Sequence, residues 1–195
     1  MKTKMLCGLG LFALLLGGCV VQSIHPLFTE REYIPAPEIV GTWTPREDKE
    51  PKEIYAFAED GKQYKLAHTD DKGHKATFHV AAGRLGPNTF LDFSPDDPLP
   101  GSELNSAMMV HLIPAHVFAK LVKTNDDLVL VVMDIEWLKN HLQKNPKAIA
   151  HTIRDEDWPI LTAPTEDLKK FVAKYADDTN AFKFANVLMA KKPAK

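Results

Sequence analysis

The sequence predicts an α+β fold that is mainly antiparallel β, a barrel or strongly curved sheet with two helices in its C-terminal third. Three observations lead there. Short runs of alternating apolar and polar residues recur between Ile39 and Met133, divided by turn residues, and strands at roughly 8–12-residue spacing build barrels or sandwiches. The apolar period then lengthens from two to a helical repeat after Asp134. No internal repeat or low-complexity segment divides the chain, and its length suits one domain with a real core.

The strands follow in order. Glu53 to Glu59 reads EIYAFAE and runs into Asp60-Gly61, a strong hairpin dipeptide. In Gln63 to His68 the residues Tyr64, Leu66 and His68 share one face, and Asp70 to Gly73 turns the chain. Ala76 to Ala82 alternates, with Phe78 and Val80 opposite Thr77 and His79, and Gly83, Gly86 and Pro87 punctuate before Thr89 to Phe93. Ser94 to Ser106 holds Pro95, Pro98, Pro100 and Gly101 and reads as a long exposed loop. Met108 to Ile113 and Ala115 to Lys123 are strand-like on either side of Pro114, which demands an edge, a bulge or a bend. Leu128 to Met133 is apolar on both faces, as a central strand is.

Helical signals begin at Asp134, a good N-cap, with Ile135, Leu138 and Leu142 at helical spacing until Pro146. Ala148 to Ile153 and Trp158 to Thr162 read as short strands. Pro164 suits a first helical turn, Glu166 and Asp167 favour its dipole, and Leu168, Phe171, Val172 and Tyr175 form one stripe. Asn180 to Met189 is ambiguous, with helix the expected state.

The N-terminus has the build of a secretory signal: Lys2 and Lys4, an apolar run from Met5 to Leu16, then Gly17 and Gly18 before Cys19. Met5 to Val21 falls short of the roughly 20 apolar residues of a spanning helix, and its glycines weaken it further. Leu16-Gly17-Gly18-Cys19 resembles the lipobox of bacterial lipoproteins. That resemblance implies cleavage between Gly18 and Cys19 and a diacylglycerol on the Cys19 thiol. Val20 stands where an inner-membrane retention signal has Asp, which implies the outer membrane, with the domain facing the periplasm. The expected organisation is a signal peptide over 1–18, a lipidated N-terminus and tether over 19–37, one β-rich domain over 38–190 and a basic tail over 191–195. The tether carries Pro26, Pro35 and Pro37, yet Ile24, Leu27, Phe28, Tyr33 and Ile34 make part of it apolar enough to pack on the domain.

Composition excludes several chemistries. The signal carries two of the 24 basic residues (Lys2 and Lys4) and none of the 26 acidic ones, so the mature formal charge is 22 minus 26, or −4. Nucleic acid, which asks for a basic stripe, is not an expected partner. Cys7 leaves with the signal and Cys19 becomes thioether-linked, so redox and thiolate chemistry are closed.

Gly41-Thr42-Trp43 stands where the first strand of the domain begins. It resembles the Gly-x-Trp signature at the start of lipocalin-like barrels, where the Trp plugs the closed end and the Gly permits close backbone approach. The resemblance implies a cavity of at least about 300 Å³, lined by Trp43, Tyr55, Phe57, Leu66, Phe78 and Leu91. Ser23-Ile24-His25-Pro26-Leu27-Phe28, His111-Leu112-Ile113-Pro114-Ala115-His116 and Leu161 to Leu168 are also similar to a group of bacterial envelope lipoproteins with no assigned activity.

Candidate chemistry is thin. Among eight histidines, His111 and His116 are the closest strand pair, and His79 or His68 would be a third metal ligand. The four mature serines (Ser23, Ser94, Ser102 and Ser106) make no Gly-x-Ser-x-Gly elbow. Acid pairs such as Asp96-Asp97 and Asp177-Asp178 fall in turns. No catalytic residue and no cofactor is expected. The leading reading is a non-enzymatic envelope module that binds a protein partner or supports an assembly. The alternative is a lipocalin-like carrier of a small apolar ligand, and the third is a metal-dependent enzyme using His111 and His116.

Overall fold

A computed structural model describes residues 20–46, 53–96, 112–124, 127–154 and 157–190. In chain order the strands are β1 (Gln22–Ser23), β2 (Gly41–Pro45), β3 (Ile54–Asp60), β4 (Gln63–Thr69), β5 (Lys75–Leu85), β6 (Asn88–Pro95), β7 (His116–Lys123), β8 (Asp127–Met133), β9 (His151–Arg154), β10 (Trp158–Leu161) and β11 (Phe182–Ala190). Helices α1 (Ile135–Lys144) and α2 (Thr165–Tyr175) lie in the C-terminal third. Strands β2 through β8 and β11 form a closed antiparallel barrel, each pairing with the next, with β11 bridging β8 and β2. The fold is therefore α+β and mainly antiparallel, an eight-stranded barrel consistent with a lipocalin-like fold. Outside the ring, β1 pairs with β7 and with β10, which pairs with β9.

Period-two alternation gives the barrel two apolar surfaces. Inward residues from every strand, including Tyr55, Leu66, Val80, Leu91, Ala119, Leu130 and Leu188, make the inner core. Outward residues of one wall, including Phe90, Phe118 and Met133, pack under both helices and the N-terminal segment as a second core. Leu138, Leu142, Leu168, Phe171 and Val172 are the helices' share of it. The Asp134 carboxylate accepts from the backbone N–H of Glu136 (2.8 Å) and Trp137 (3.1 Å), which is why α1 starts there.

The hairpins carry the turns the sequence encodes. Gly61 has φ +64° and Gly86 φ +59°, the left-handed region that glycine tolerates. Gly83 differs. It does not turn the chain but lies inside β5, which runs on to Leu85. The ring of Phe28 occupies the space where a Cβ would stand.

Asn180 to Met189, expected to be helical, is instead strand β11 from Phe182. It is the stave that closes the barrel, and two strand edges of hydrogen-bonding groups outweigh its weak helical preference. The stretch expected to act as a tether packs from its first described residue. Val20, Val21, Leu27, Phe28 and Ala36 are buried, while Ile24 is exposed. Cys19, residues 1–18 expected to form a signal peptide, His111 and residues 191–195 lie outside the described residues.

Candidate ligand site opposite the stoppered end of the barrel

One end of the barrel is stoppered. The 3-10 turn Pro37–Ile39 sends Ile39 and Ala36, both fully buried, into the inner core beside Trp43 and Tyr64. Trp43 Nε1–H donates to the Ile39 carbonyl at 2.7 Å, and the Ala36 N–H donates to the Tyr64 hydroxyl at 2.7 Å. Gly41 takes φ +134° at the start of β2, a conformation closed to most side chains. Trp43 thus stands at the stoppered end as the resemblance implies, whereas Gly41 answers its positive φ and no close backbone approach, a Cβ there meeting only Trp43 Nε1 at 3.8 Å.

The opposite end is where β2 leads to β3, β4 to β5 and β6 to β7. A cavity of about 60 Å³ lies there. Leu66, Phe78, Phe93 and Val117 form its apolar walls, Pro95 and Ala115 stand at strand ends, and Tyr55 and His68 supply its polar atoms. Register explains the grouping: Leu66 faces Phe78, and Phe78 faces Pro95, across β4, β5 and β6. All six expected cavity residues are on the inner side, but only Tyr55, Leu66 and Phe78 reach the cavity. Trp43, Phe57 and Leu91 belong to the filled part of the interior. Their side chains are the physical reason that the space falls short of the expected 300 Å³. A single water needs roughly 10–15 Å³, so about four to six heavy atoms fit.

A buried polar cluster borders this cavity. Glu53, 8% exposed, immediately precedes β3. Its Oε1 accepts from the Tyr55 hydroxyl at 2.8 Å and lies 3.0 Å from His68 Nε2. Asn186 of β11 donates to the Tyr55 hydroxyl at 3.2 Å, and the His68 ring tilts against the Tyr55 ring at 4.6 Å. Burial first, then the adjacent Glu53, raises the Tyr55 pKa, so the phenol stays protonated and keeps donating. Glu53 and His68 are far apart in sequence. The pairing of Tyr55 with His68 across the β3–β4 hairpin, whose two loop residues are Gly61 and Lys62, brings them together; Asp60-Gly61 read as the loop pairs Tyr55 with Leu66 instead.

The histidines proposed as metal ligands turn elsewhere. His79 projects from the outer face of β5 with Nε2 2.9 Å from Asp96, and His116 places Nδ1 3.0 Å from Asp92. Among the described residues no group of three or more His, Cys, Asp or Glu is placed to hold a metal ion. Asp92, 4% exposed, also accepts from the Leu27 N–H at 2.7 Å, so this pair fastens the N-terminal segment to the barrel wall.

No protein-family model, curated protein or solved structure matches the chain, so its likeness to a lipocalin rests on the barrel, the stopper and Gly41-Thr42-Trp43.

Proposed function

We propose that this protein binds a small apolar ligand at the end of its barrel opposite the stopper, as a carrier does, while a lipid on Cys19 holds it at the outer membrane on the periplasmic side. The observation that carries the reading is the apolar cavity between Leu66, Phe78, Phe93 and Val117, at the end opposite the stopper. Its size selects the end of an acyl or prenyl chain, or a small ring, and not a whole enclosed molecule. At about 0.8 kcal/mol per buried methylene, four such groups contribute about 3 kcal/mol. The rest of the ligand lies outside the cavity, where Leu112 and Ile113, 42% and 72% exposed, lead into Ala115. For a small ring held within the cavity, the Glu53–His68–Tyr55 cluster at its border is the hydrogen-bonding partner.

Titration with a fluorescent fatty acid tests this. Saturable binding is expected, with competition by unlabelled acid. Ala115→Phe, which fills the cavity from a position outside any strand, should abolish it; undiminished binding in that variant would refute the cavity as the site. For the anchor, Cys19→Ala should move the protein from the membrane to the soluble fraction.

The reading as a module for an envelope protein draws on the same exposed pair, Leu112 and Ile113. A partner crosslinked through these residues, together with no competition by fatty acid, would favour it over the carrier.

A further inference from the structure

A second concave surface, sharing no lining residue with the barrel cavity, lies between the two helices and the turn after α1. After α1 the chain doubles back at once. The Asn145 N–H donates to the His141 carbonyl (2.9 Å) and the Ala148 N–H to the Asn145 carbonyl (3.0 Å). Buried Ile149 and the bond from Thr162 N–H to the Ala150 carbonyl (2.9 Å) hold the returning strand. Across from this turn, α2 presents Asp167, Lys170 and Lys174 at helical spacing. The cleft between them measures about 850 Å³, inside the range of small-molecule sites, roughly 300–1,000 Å³.

Its chemistry is one-sided. Lys147, Lys170 and Lys174 border the cleft against one carboxylate, Asp167, which pairs with Lys170 at 3.0 Å. Lys147 and Lys174 have no carboxylate partner among the described residues. The remaining wall is aromatic. The Tyr175 hydroxyl lies 3.1 Å from His141 Nε2, and Phe171 packs edge-on to Tyr175 at 5.1 Å. His141 stacks on Trp137 with centroids 4.8 Å apart and planes 6° from parallel. Burial and the Lys174 charge lower the His141 pKa, so its imidazole is neutral and offers hydrogen bonding without charge. Lys174 Nζ lies over the Tyr175 ring at 5.0 Å, so a purely apolar ligand would leave the Lys147 ammonium unanswered. A bare inorganic anion would leave the aromatic wall uncovered.

We infer that this cleft binds an anionic sugar, its ring against His141 and Tyr175 and its phosphate or carboxylate between Lys147 and Lys174. Ammonium-to-oxyanion contacts are charge-assisted and among the stronger hydrogen bonds. Both lysines are exposed, so the interaction weakens as salt rises.

An NMR titration of the protein with glucose 6-phosphate tests the inference, with glucose and inorganic phosphate as single-feature controls. Saturable shifts at Lys147, Lys174 and His141 are expected, with either control weaker by about tenfold or more. Lys147→Gln with Lys174→Gln should cost about tenfold in affinity without loss of fold, since both side chains are exposed. Absence of saturable shifts with both glucose 6-phosphate and glucuronate would overturn it. So would phosphate binding as tightly as the phosphosugar, or a double variant that binds like the wild type. Phosphatidylcholine vesicles with and without a phosphorylated glycolipid separate the two sources of this head group. Recruitment only to the glycolipid vesicles assigns the ligand to a membrane, and binding of the free sugar alone assigns it to solution. No cleft residue lines the barrel cavity, so failure here leaves the carrier reading standing.

Discussion

Phe28 lies across Gly83, and a Cβ on that glycine would stand 2.5 Å from the ring atoms Cδ1 and Cε1. Phe28 is 1% exposed and belongs to the outer core. The ring is therefore seated against backbone, and the seat exists because residue 83 has no side chain.

Gly83→Ala should accordingly destabilise the protein by about 1–3 kcal/mol, the usual cost of overpacking. Phe28→Ala should cost about 3–5 kcal/mol through the cavity it leaves. In the double variant the two losses should fall well short of additive, because the clash disappears with the ring. Urea denaturation midpoints of the four proteins measure this. Full additivity would mean that the two residues do not meet.

A second prediction concerns acid. Lys169 Nζ sits against the Glu32 carboxylate, and the Thr29 N–H and hydroxyl donate to it at 2.9 and 2.8 Å. These contacts, Lys169 foremost, bring the Glu32 pKa down to about 2 from the ordinary 4.5. A depressed carboxylate stabilises the fold above its unfolded pKa, and the benefit fades as pH falls toward the folded one. Because Glu32 is a third exposed, solvent screening leaves about 1 kcal/mol of that benefit. Glu32→Gln should be less stable than the wild type by this amount at pH 7, and the two should converge between about pH 4.5 and 2. A constant gap across that window would show that the ion pair is not the cause.

Much of this fold was legible because period-two alternation survives in the strands. Tyr64, Leu66 and His68 were expected on one face, and all three point inward. Asp134 was expected to cap a helix, and it does. What escaped depends on long-range contact. Lys183 to Met189 has no alternation strong enough to announce a strand, and only the waiting edges of β2 and β8 make it one. Gly83 reads as a turn until Phe28 is placed on it. The cavity was half legible: inward aromatics follow from alternation, but Pro95, Ala115 and Val117 join it only when β6 and β7 meet beside them. Glu53 was taken as the first residue of a strand, since nothing local shows that Tyr55 and His68 will converge on it.

Glu53 should therefore be worth more than its position suggests. Glu53→Ala leaves the Tyr55 hydroxyl and His68 Nε2 buried without their shared acceptor, at about 1–3 kcal/mol for each stranded group. Tyr55→Phe removes one donor and leaves the His68 contact intact, so about 1 kcal/mol is expected. Glu53→Gln keeps an oxygen acceptor and should fall between them. Thermal unfolding of the three variants sets the order. A Glu53→Ala protein as stable as Tyr55→Phe would show that His68 finds another partner.

The N-terminal segment is fastened to the barrel wall. Val20 and Val21 are 5% and 3% exposed, so the chain is packed on the domain from the first residue after position 19. Asp92 secures this arrangement, accepting from the Leu27 N–H at 2.7 Å with one oxygen and facing His116 Nδ1 at 3.0 Å with the other. Asp92→Ala leaves the Leu27 N–H buried and unpaired, a cost of about 1–3 kcal/mol. Asp92→Asn retains one acceptor and should lose less. Hydrogen exchange should quicken first over Val20 to Phe28, while β3 and β4 on the far side of the barrel keep their protection, because the lost bond acts on that segment directly and local opening precedes global unfolding. Uniform acceleration across the barrel would instead make Asp92 a determinant of the whole fold and leave the N-terminal segment no independent hinge.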